Sequence, residues 1–178
     1  TWREIEADGF AIAARLDIPM EDDSRVGVAR SMGLCTVAMA DALHRLAPEC
    51  LVILGDRFEA LSAAQAALIM GIPIAHIHGG EITQGALDDA IRHAITKMAT
   101  LHFVAAEPYR QRVIQMGAPA DLVLSIDTPS VNKTNELMIQ CDRVLATGGS
   151  AIYSATGMQH LKQFGPIIFL DASIETLE

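Results

Sequence analysis

Acidic, basic and imidazole side chains follow two apolar runs that have the length of buried strands. Asp56 and Arg57 come directly after the run 50–54, and the run 72–77 leads into His78, two glycines and Glu81. Because the carboxyl ends of parallel strands meet at one edge of a sheet, we expect these groups on a common rim. Carboxylates and imidazoles placed there can transfer protons, and a guanidinium can hold an anion.

The next helical segment brings a third set of polar groups to the same rim. Asp88 and Asp89 stand in its first turn, and Arg92 and His93 follow four residues after them. Residues four apart share a helix face, so we expect Asp88 beside Arg92 and Asp89 beside His93. A simpler interpretation remains open, because acidic residues after strands and at helix starts often only cap backbone N–H groups.

A metal site is a weaker hypothesis for these residues. His76 and His78 form a His-x-His pair that would share one strand face, but no third ligand type is clearly supplied. We therefore expect neither a metal nor a cofactor. His44, His102 and His160 lack polar neighbours in the sequence and are expected at the surface or in the core.

The elements that must position these groups alternate along the whole chain. Apolar runs of strand length are predicted at 10–16, 50–54, 72–77, 101–105, 122–126, 143–146 and 167–170, with helix-period segments between them. One helix is expected to begin after Ser24, another to end at Gly71, and others to lie near 131–139 and 156–163. This alternation predicts an α/β fold, a Rossmann-like doubly wound and mostly parallel sheet with helices on both faces.

Composition excludes several classes of function. The chain has 178 residues, 51% of them apolar, and a net charge of −9, which disfavours nucleic acid and an anionic membrane surface as partners. No run approaches the ~18 consecutive apolar residues of a membrane span. Three cysteines without a CxxC pair fit the reducing cytoplasm. The chain starts without Met in what looks like a helix, so we expect a truncated or excised chain.

Three motifs in one order resemble a known enzyme family. LGDRFE at 54–59, IPIAHIHGGE at 72–81 and LDDAIRHAITK at 87–97 are similar to the hydrolysing UDP-N-acetylglucosamine 2-epimerases of sialic-acid-type sugar biosynthesis. The resemblance covers about residues 1–126. It implies two Rossmann-like domains with a UDP-sugar between them, removal of the C2 proton, elimination of UDP and addition of water to give N-acetylmannosamine.

The resemblance also implies roles for individual residues. Asp56 and Asp88 would be the acid–base carboxylates, and Arg57 would contact the nucleotide. Either His78 or Glu81 would act where some relatives carry a glutamate, so both are kept as catalytic candidates. Arg92 and His93 would shape the substrate site. The family's association into oligomers implies a homo-oligomer.

A second resemblance concerns the end of the chain. The segments 141–153, 159–162 and 166–177 look like the middle of a shikimate-kinase-type protein, which would place Gly148 and Gly149 at a substrate-binding turn. The phosphate-binding pattern GxxxxGK[ST] is absent from the sequence, which disfavours phosphoryl transfer. We therefore predict a chimera, with a partial epimerase domain at 1–126 and a kinase-like βαβ segment at 127–178 that completes the same sheet.

Activity is the point on which the alternatives differ. The family's first strand and its second domain are not matched by residues 1–126, and loss of one wall of a site removes orientation worth ~7–11 kcal/mol of barrier. We therefore expect turnover at or below detection from this chain. The alternatives are a chimeric α/β scaffold without catalysis and, disfavoured, a shikimate-kinase-like protein.

Overall fold

A computed structural model of the protein describes residues 2–7, 9, 11–18, 24–83, 87–125, 144–147 and 167–172. The helices in these ranges are α1 (Trp2–Ala7), α2 (Arg25–Leu46), α3 (Phe58–Ile69), α4 (Leu87–Met98) and α5 (Glu107–Gln115). The strands are β1 (Ile12–Ile18), β2 (Cys50–Leu54), β3 (Ile74–Ile77), β4 (Leu101–Val104), β5 (Val123–Ser125), β6 (Val144–Thr147) and β7 (Ile167–Ala172).

The strands form parallel sheets that meet near the middle of the molecule. One sheet has the order β5-β4-β3-β2-β6, and β1 pairs with β7 in a second. Because β7 lies beside β6, the strands follow one another as β1-β7-β6-β2-β3-β4-β5. If β6 and β7 are counted as the first two strands, the order becomes 3-2-1-4-5-6-7, which is the 3-2-1-4-5-6 order of doubly wound folds with β5 added as a seventh strand. The strand order reverses between β6 and β2.

The core has an apolar layer on each side of the sheet. Leu51 and Ile53 of β2 face α2, α3 and α4, whereas Cys50 and Val52 belong to a cluster on the opposite side. This alternation within one strand is the pleat of a strand that is buried on both faces. The described helices α2 to α5 pack on one side, and the buried residues of α3 include alanines that allow close packing: Ala60, Ala63, Ala64, Ala66 and Ala67.

Local sequence signals set several helix boundaries as predicted. The Ser24 hydroxyl accepts a hydrogen bond from the Gly27 N–H at 3.0 Å and caps α2. Gly71 follows α3 with φ of +71°, a conformation that glycine adopts without strain. The prediction of a strand from residue 72 was wrong by two residues, because Pro73 has no N–H to donate and β3 begins at Ile74.

The fold class is confirmed as a mostly parallel α/β sheet. The predicted helices at 131–139 and 156–163 lie outside the described residues, as does Cys141. Cys35 and Cys50 are buried and form no disulfide within the described ranges, and burial raises the pKa of the Cys35 thiol to about 11.

Helix α2 has the length and hydropathy of a membrane span by composition alone. That is weak evidence, since core helices pass the same test, and Cys35, Met39 and Leu43 of α2 are fully buried within this fold.

Candidate active site

An ion pair between Asp56 and Arg92 joins two of the predicted groups. Asp56 lies just after β2 and Arg92 lies one turn into α4, and Arg92 Nη2 donates to Asp56 Oδ2. The Arg92 side chain is 8% exposed and that of Asp56 is 21% exposed. Arg92 Nη1 also donates to Thr83 Oγ1 at 3.1 Å, so the guanidinium connects the β2 edge to the loop before α4.

Asp89, rather than Asp88, faces this ion pair. Asp89 Oδ1 accepts from the Thr83 backbone N–H at 2.9 Å and lies 3.9 Å from Arg92 Nη1. Asp89 Oδ2 lies 3.9 Å from His93 Nδ1, as the four-residue spacing predicted. Asp88 is exposed and, within the described ranges, makes no contact with Arg92. The shared helix face expected for Asp88 and Arg92 therefore does not bring their side chains into contact, because Arg92 extends towards Asp56 and Asp89 instead; a catalytic role for Asp88 stays a prediction.

His78 and Glu81 form a second polar pair on the neighbouring strand end. His78 Nδ1 lies 2.7 Å from Glu81 Oε1, and the two side chains are 47% and 29% exposed. His78 has φ of +64°, which is uncommon for a residue with a side chain and is often seen at functional sites. Leu54 is the register partner of Ile77, so the residues after β2 and those after β3 leave the sheet side by side.

The candidates His76 and His78 do not share a face. His76 lies inside β3 and is fully buried, whereas His78 follows the strand end and is exposed. Among the described residues no group of three His, Cys, Asp or Glu side chains is placed to hold a metal ion.

Arg57 lies apart from the buried ion pair. Its guanidinium bonds to Glu59 through two contacts of 3.2 Å and lies 5.8 Å from the centre of the Phe58 ring. With its side chain 67% exposed, Arg57 is free to turn towards a ligand at low cost, since exposed ion pairs are weak.

Two buried nitrogens of the site have no partner in the part of the chain that the structure describes. These are Arg92 Nε and His93 Nε2. Buried polar atoms are nearly always hydrogen-bonded, so both are suited to an oxygen of a ligand or water. Together with the carboxylates of Asp56 and Glu81, they make a rim that can bind an anion and move protons.

His76 is the residue of this region whose place in the site the sequence did not reveal. Its ring nitrogens lie 2.9 Å from the Gly55 carbonyl oxygen and 3.2 Å from Thr96 Oγ1. The available signal was a histidine inside an apolar strand, where a ring needs buried partners. Gly148 and Gly149 lie outside the described residues; Thr147, just before them, is the register partner of Ile53.

Comparison with known proteins gives a consistent result. The family model described as UDP-N-acetylglucosamine 2-epimerase matches residues 1–163. The chain is 44% identical over 126 residues to the GDP/UDP-N,N'-diacetylbacillosamine 2-epimerase (hydrolyzing) of Campylobacter jejuni, covering 71% of this chain and 33% of that protein. It is 40% identical over 122 residues to polysialic acid biosynthesis protein P7 of Escherichia coli, covering 68% and 31%.

Solved structures support the fold. The UDP-GlcNAc 2-epimerase from Neisseria meningitidis bound to UDP-GlcNAc gives a TM-score of 0.53 at 14% identity, over 82% of this chain and 55% of that one. The enzyme from Methanocaldococcus jannaschii in complex with UDP-GlcNAc and UDP gives 0.53 at 15% identity, over 82% and 48%.

These matches bear on the predicted chimera. The chain spans about a third of the length of the two curated relatives. The family match continues past residue 126 to residue 163, through part of the segment that resembles a kinase. A kinase origin for residues 127–178 therefore stays a prediction.

Proposed function

Because the chain belongs to the UDP-N-acetylglucosamine 2-epimerase family, we propose that it supplies the acid–base side of a hydrolysing 2-epimerase site. In the proposed reaction a base removes the C2 proton of a UDP-linked N-acetylhexosamine. The bond from C1 to the UDP oxygen then breaks, which leaves UDP and a glycal. Water adds across the glycal double bond and gives the free 2-epimeric sugar.

The observation that carries this proposal is the Asp56–Arg92 ion pair at the carboxyl end of β2. It lies beside the point where strand order reverses, between β6 and β2, which is where doubly wound folds bind ligands. Arg92 holds the carboxylate in one orientation, which an acid–base group needs because proton transfer requires close approach. A charge-assisted bond from a largely buried guanidinium is among the stronger ways to fix it.

A second acid–base group is needed because a proton is removed and another delivered. The His78–Glu81 pair supports this role, since it lies on the next strand end and is exposed enough to meet a substrate. Asp88 remains the candidate that the family resemblance implies, and Asp89 is the carboxylate that contacts Arg92. Arg57, exposed beside Asp56, is suited to the diphosphate.

The sugar is a UDP-linked N-acetylhexosamine, with two specific candidates. One is UDP-N-acetylglucosamine. The other is UDP-N,N'-diacetylbacillosamine, supported by the name of the Campylobacter relative. Both carry the same acidic C2 proton arrangement and the same leaving group, so one site chemistry serves either.

The chain alone is expected to bind more readily than it turns over. The region that matches its relatives covers only about a third of their length, so the described rim is one side of a site whose other side is proposed to come from further residues. We expect a location in the cytoplasm, where thiols such as those of Cys35 and Cys50 stay reduced. Self-association is supported by apolar side chains that α2 exposes: Val26, Leu34 and Val37.

The test measures binding and turnover with the same preparations. Backbone amide spectra recorded with either UDP-sugar should show changes at 55–57 and 78–83, and Arg57→Ala should weaken binding about tenfold through loss of one charged contact. UDP release should be at or below detection. Unchanged amides at both segments would contradict the proposal.

Asp56→Asn is the matched control for turnover, because it keeps the shape of the side chain and removes its negative charge. UDP release that Asp56→Asn abolishes would show a complete site within this chain and overturn the expectation of inactivity. UDP release that survives Asp56→Asn would contradict the role of Asp56.

A further inference from the structure

A buried histidine connects the β2 edge to the middle of α4. His76 is fully buried in β3, on the face that α4 covers. Its Nε2 lies 2.9 Å from the carbonyl oxygen of Gly55, and its Nδ1 lies 3.2 Å from Oγ1 of Thr96. Gly55 immediately precedes Asp56, so one ring touches the backbone that carries the proposed acid–base carboxylate.

Hydrogen-bond chemistry fixes the protonation of this ring. Burial lowers the pKa of His76 to about 4, and the nearby charges of His102 and Arg92 act in the same direction, while the Gly55 contact and Asp56 act against it. The ring is therefore neutral near pH 7 and carries one proton. The Gly55 carbonyl can only accept, so that proton lies on Nε2.

Thr96 completes the arrangement. Nδ1 is then an acceptor, and the Thr96 hydroxyl is the donor within reach. The same hydroxyl lies 2.9 Å from the carbonyl oxygen of Arg92, one α4 turn earlier, and its single proton serves one acceptor at a time. Thus His76 reaches the Asp56 backbone through one nitrogen and the α4 turn that carries Arg92 through the other.

The neighbouring loop is shaped to this pair. A Cβ added at Gly79 would lie 3.0 Å from His76 Nδ1 and 3.1 Å from Thr96 Oγ1. The turn between His78 and Glu81 therefore packs directly on the two side chains, and this excludes water from their contact. The segments that follow β2 and β3 therefore both contact the neutral imidazole of His76.

We infer that His76 is a positioning residue, whose neutral Nε2–H holds the Gly55 carbonyl and thereby sets the Asp56 carboxylate against Arg92. Gly55, the first residue after β2, has φ of +85°. Because glycine has no side chain, its backbone could adopt many conformations at this turn. The bond from His76 selects one of them. This inference rests on the proposed function for the role of Asp56, although the hydrogen bonds can be tested without it.

The first measurement concerns the wild-type chain alone. Long-range ¹H–¹⁵N correlation of the labelled histidines distinguishes protonated from bare ring nitrogens. We expect His76 to carry its proton on Nε2 and to keep this pattern from about pH 8 down to about pH 5.5, where an ordinary histidine would be mostly protonated. A proton on Nδ1, or titration of His76 near pH 6.5, would overturn the inference.

Two variants then separate positioning from plain packing. His76→Gln places an amide near the former Nε2 and can still donate to Gly55, whereas His76→Asn is shorter and reaches only towards Thr96. Both bury one amide, so thermal unfolding of the two provides the stability control. We expect His76→Gln to keep the wild-type amide signal of Asp56 and the affinity for UDP-GlcNAc, and His76→Asn to shift the signal and lose about tenfold in affinity.

Equal behaviour of the two variants at Asp56 would mean that His76 is only a core residue, and would overturn the inference. If the wild-type chain binds no UDP-sugar, the proposed function fails, while the ring proton and the Asp56 amide still decide the role of His76.

Discussion

His76 and His102 are neighbours in the sheet with the same burial and different uses. They are register partners on β3 and β4, they are 0% and 1% exposed, and burial lowers the pKa of each to about 4. Both nitrogens of His76 have partners, and they connect to the Asp56–Arg92 edge. His102 Nδ1 has no hydrogen-bond partner in the described ranges. Burial and a shifted pKa therefore do not identify a site histidine; its hydrogen bonds do.

The surroundings of the two rings explain this difference. His76 lies near the carboxyl ends of the strands, where loops return polar groups to the sheet. His102 lies at the same level of the sheet, as the register partner of His76, but it lines a cavity of about 100 Å³ between α4 and α5, with Lys97 and Met116 among its walls. None of the described residues that line this cavity gives His102 Nδ1 a hydrogen bond.

The largest expected effect is a loss of stability at acidic pH, to which both His76 and His102 contribute. Each has a pKa below its unfolded value of 6.5, so between about pH 6.5 and pH 4 the unfolded chain binds more protons than the folded chain. Stability is therefore full above about pH 6.5 and falls as the pH drops, by up to roughly 3 kcal/mol for each ring.

Urea unfolding at about pH 7 and about pH 4.5 measures this loss. Replacing either histidine by Gln should remove its contribution to the loss of stability as the pH falls. A stability that is independent of pH across this range would show that the two rings are not buried and neutral.

The next effect contrasts glycines at the two ends of the fold. Gly80 has φ of +79°, and an added Cβ would lie 2.6 Å from the Tyr109 carbonyl oxygen and 2.7 Å from Val113 Cγ2. Gly117 has φ of +102°, but its added Cβ would meet only the flexible end of Lys97, at 3.5 Å. We expect Gly80→Ala to cost about 3 kcal/mol and Gly117→Ala about 1 kcal/mol, because the second carries only backbone strain.

Chemical denaturation of the two variants side by side decides this contrast. Equal costs would mean that the loop at the site is no more tightly held than the turn after α5.

The smallest expected effect is the difference in stability between variants that replace His76 or His102 by leucine. His76→Leu leaves the Gly55 carbonyl without its donor and should cost about 2 kcal/mol. His102→Leu removes a nitrogen that has no partner in the described ranges, and should change stability by less than about 1 kcal/mol in either direction. The free energies of unfolding of both variants test this; a larger cost at His102 would reverse the comparison.

Sequence reasoning recovered the elements and the rim more readily than the contacts. Strand 50–54 was predicted to the residue, because a short apolar run ending in Gly-Asp has few alternatives. Asp56 and Arg92 were predicted on one rim, but their pairing across 36 residues depends on how α4 packs. Asp89 was not predicted beside Arg92, because a shift of one residue in helix phase decides which carboxylate faces the site.

The insertion of β6 and β7 between β1 and β2 depends on still longer-range contacts. Pairing of Val144–Thr147 with β2 joins strands that are about ninety residues apart, and local periodicity carries no information about such partners. The sequence predicted that these runs are strands; the structure places β6 at the reversal of strand order, next to the site.

The central claim is that the β2 and β3 ends form a UDP-sugar site, and thermal unfolding with ligands tests it most directly. The chain is heated alone and then with excess UDP, UDP-GlcNAc, ATP or shikimate. A ligand at a hundred times its Kd adds about 2.7 kcal/mol, which raises the midpoint by roughly 5–10 °C for a chain of this length. The account predicts that shift with UDP and UDP-GlcNAc only. A midpoint that no uridine ligand moves, or that only ATP or shikimate moves, would contradict it.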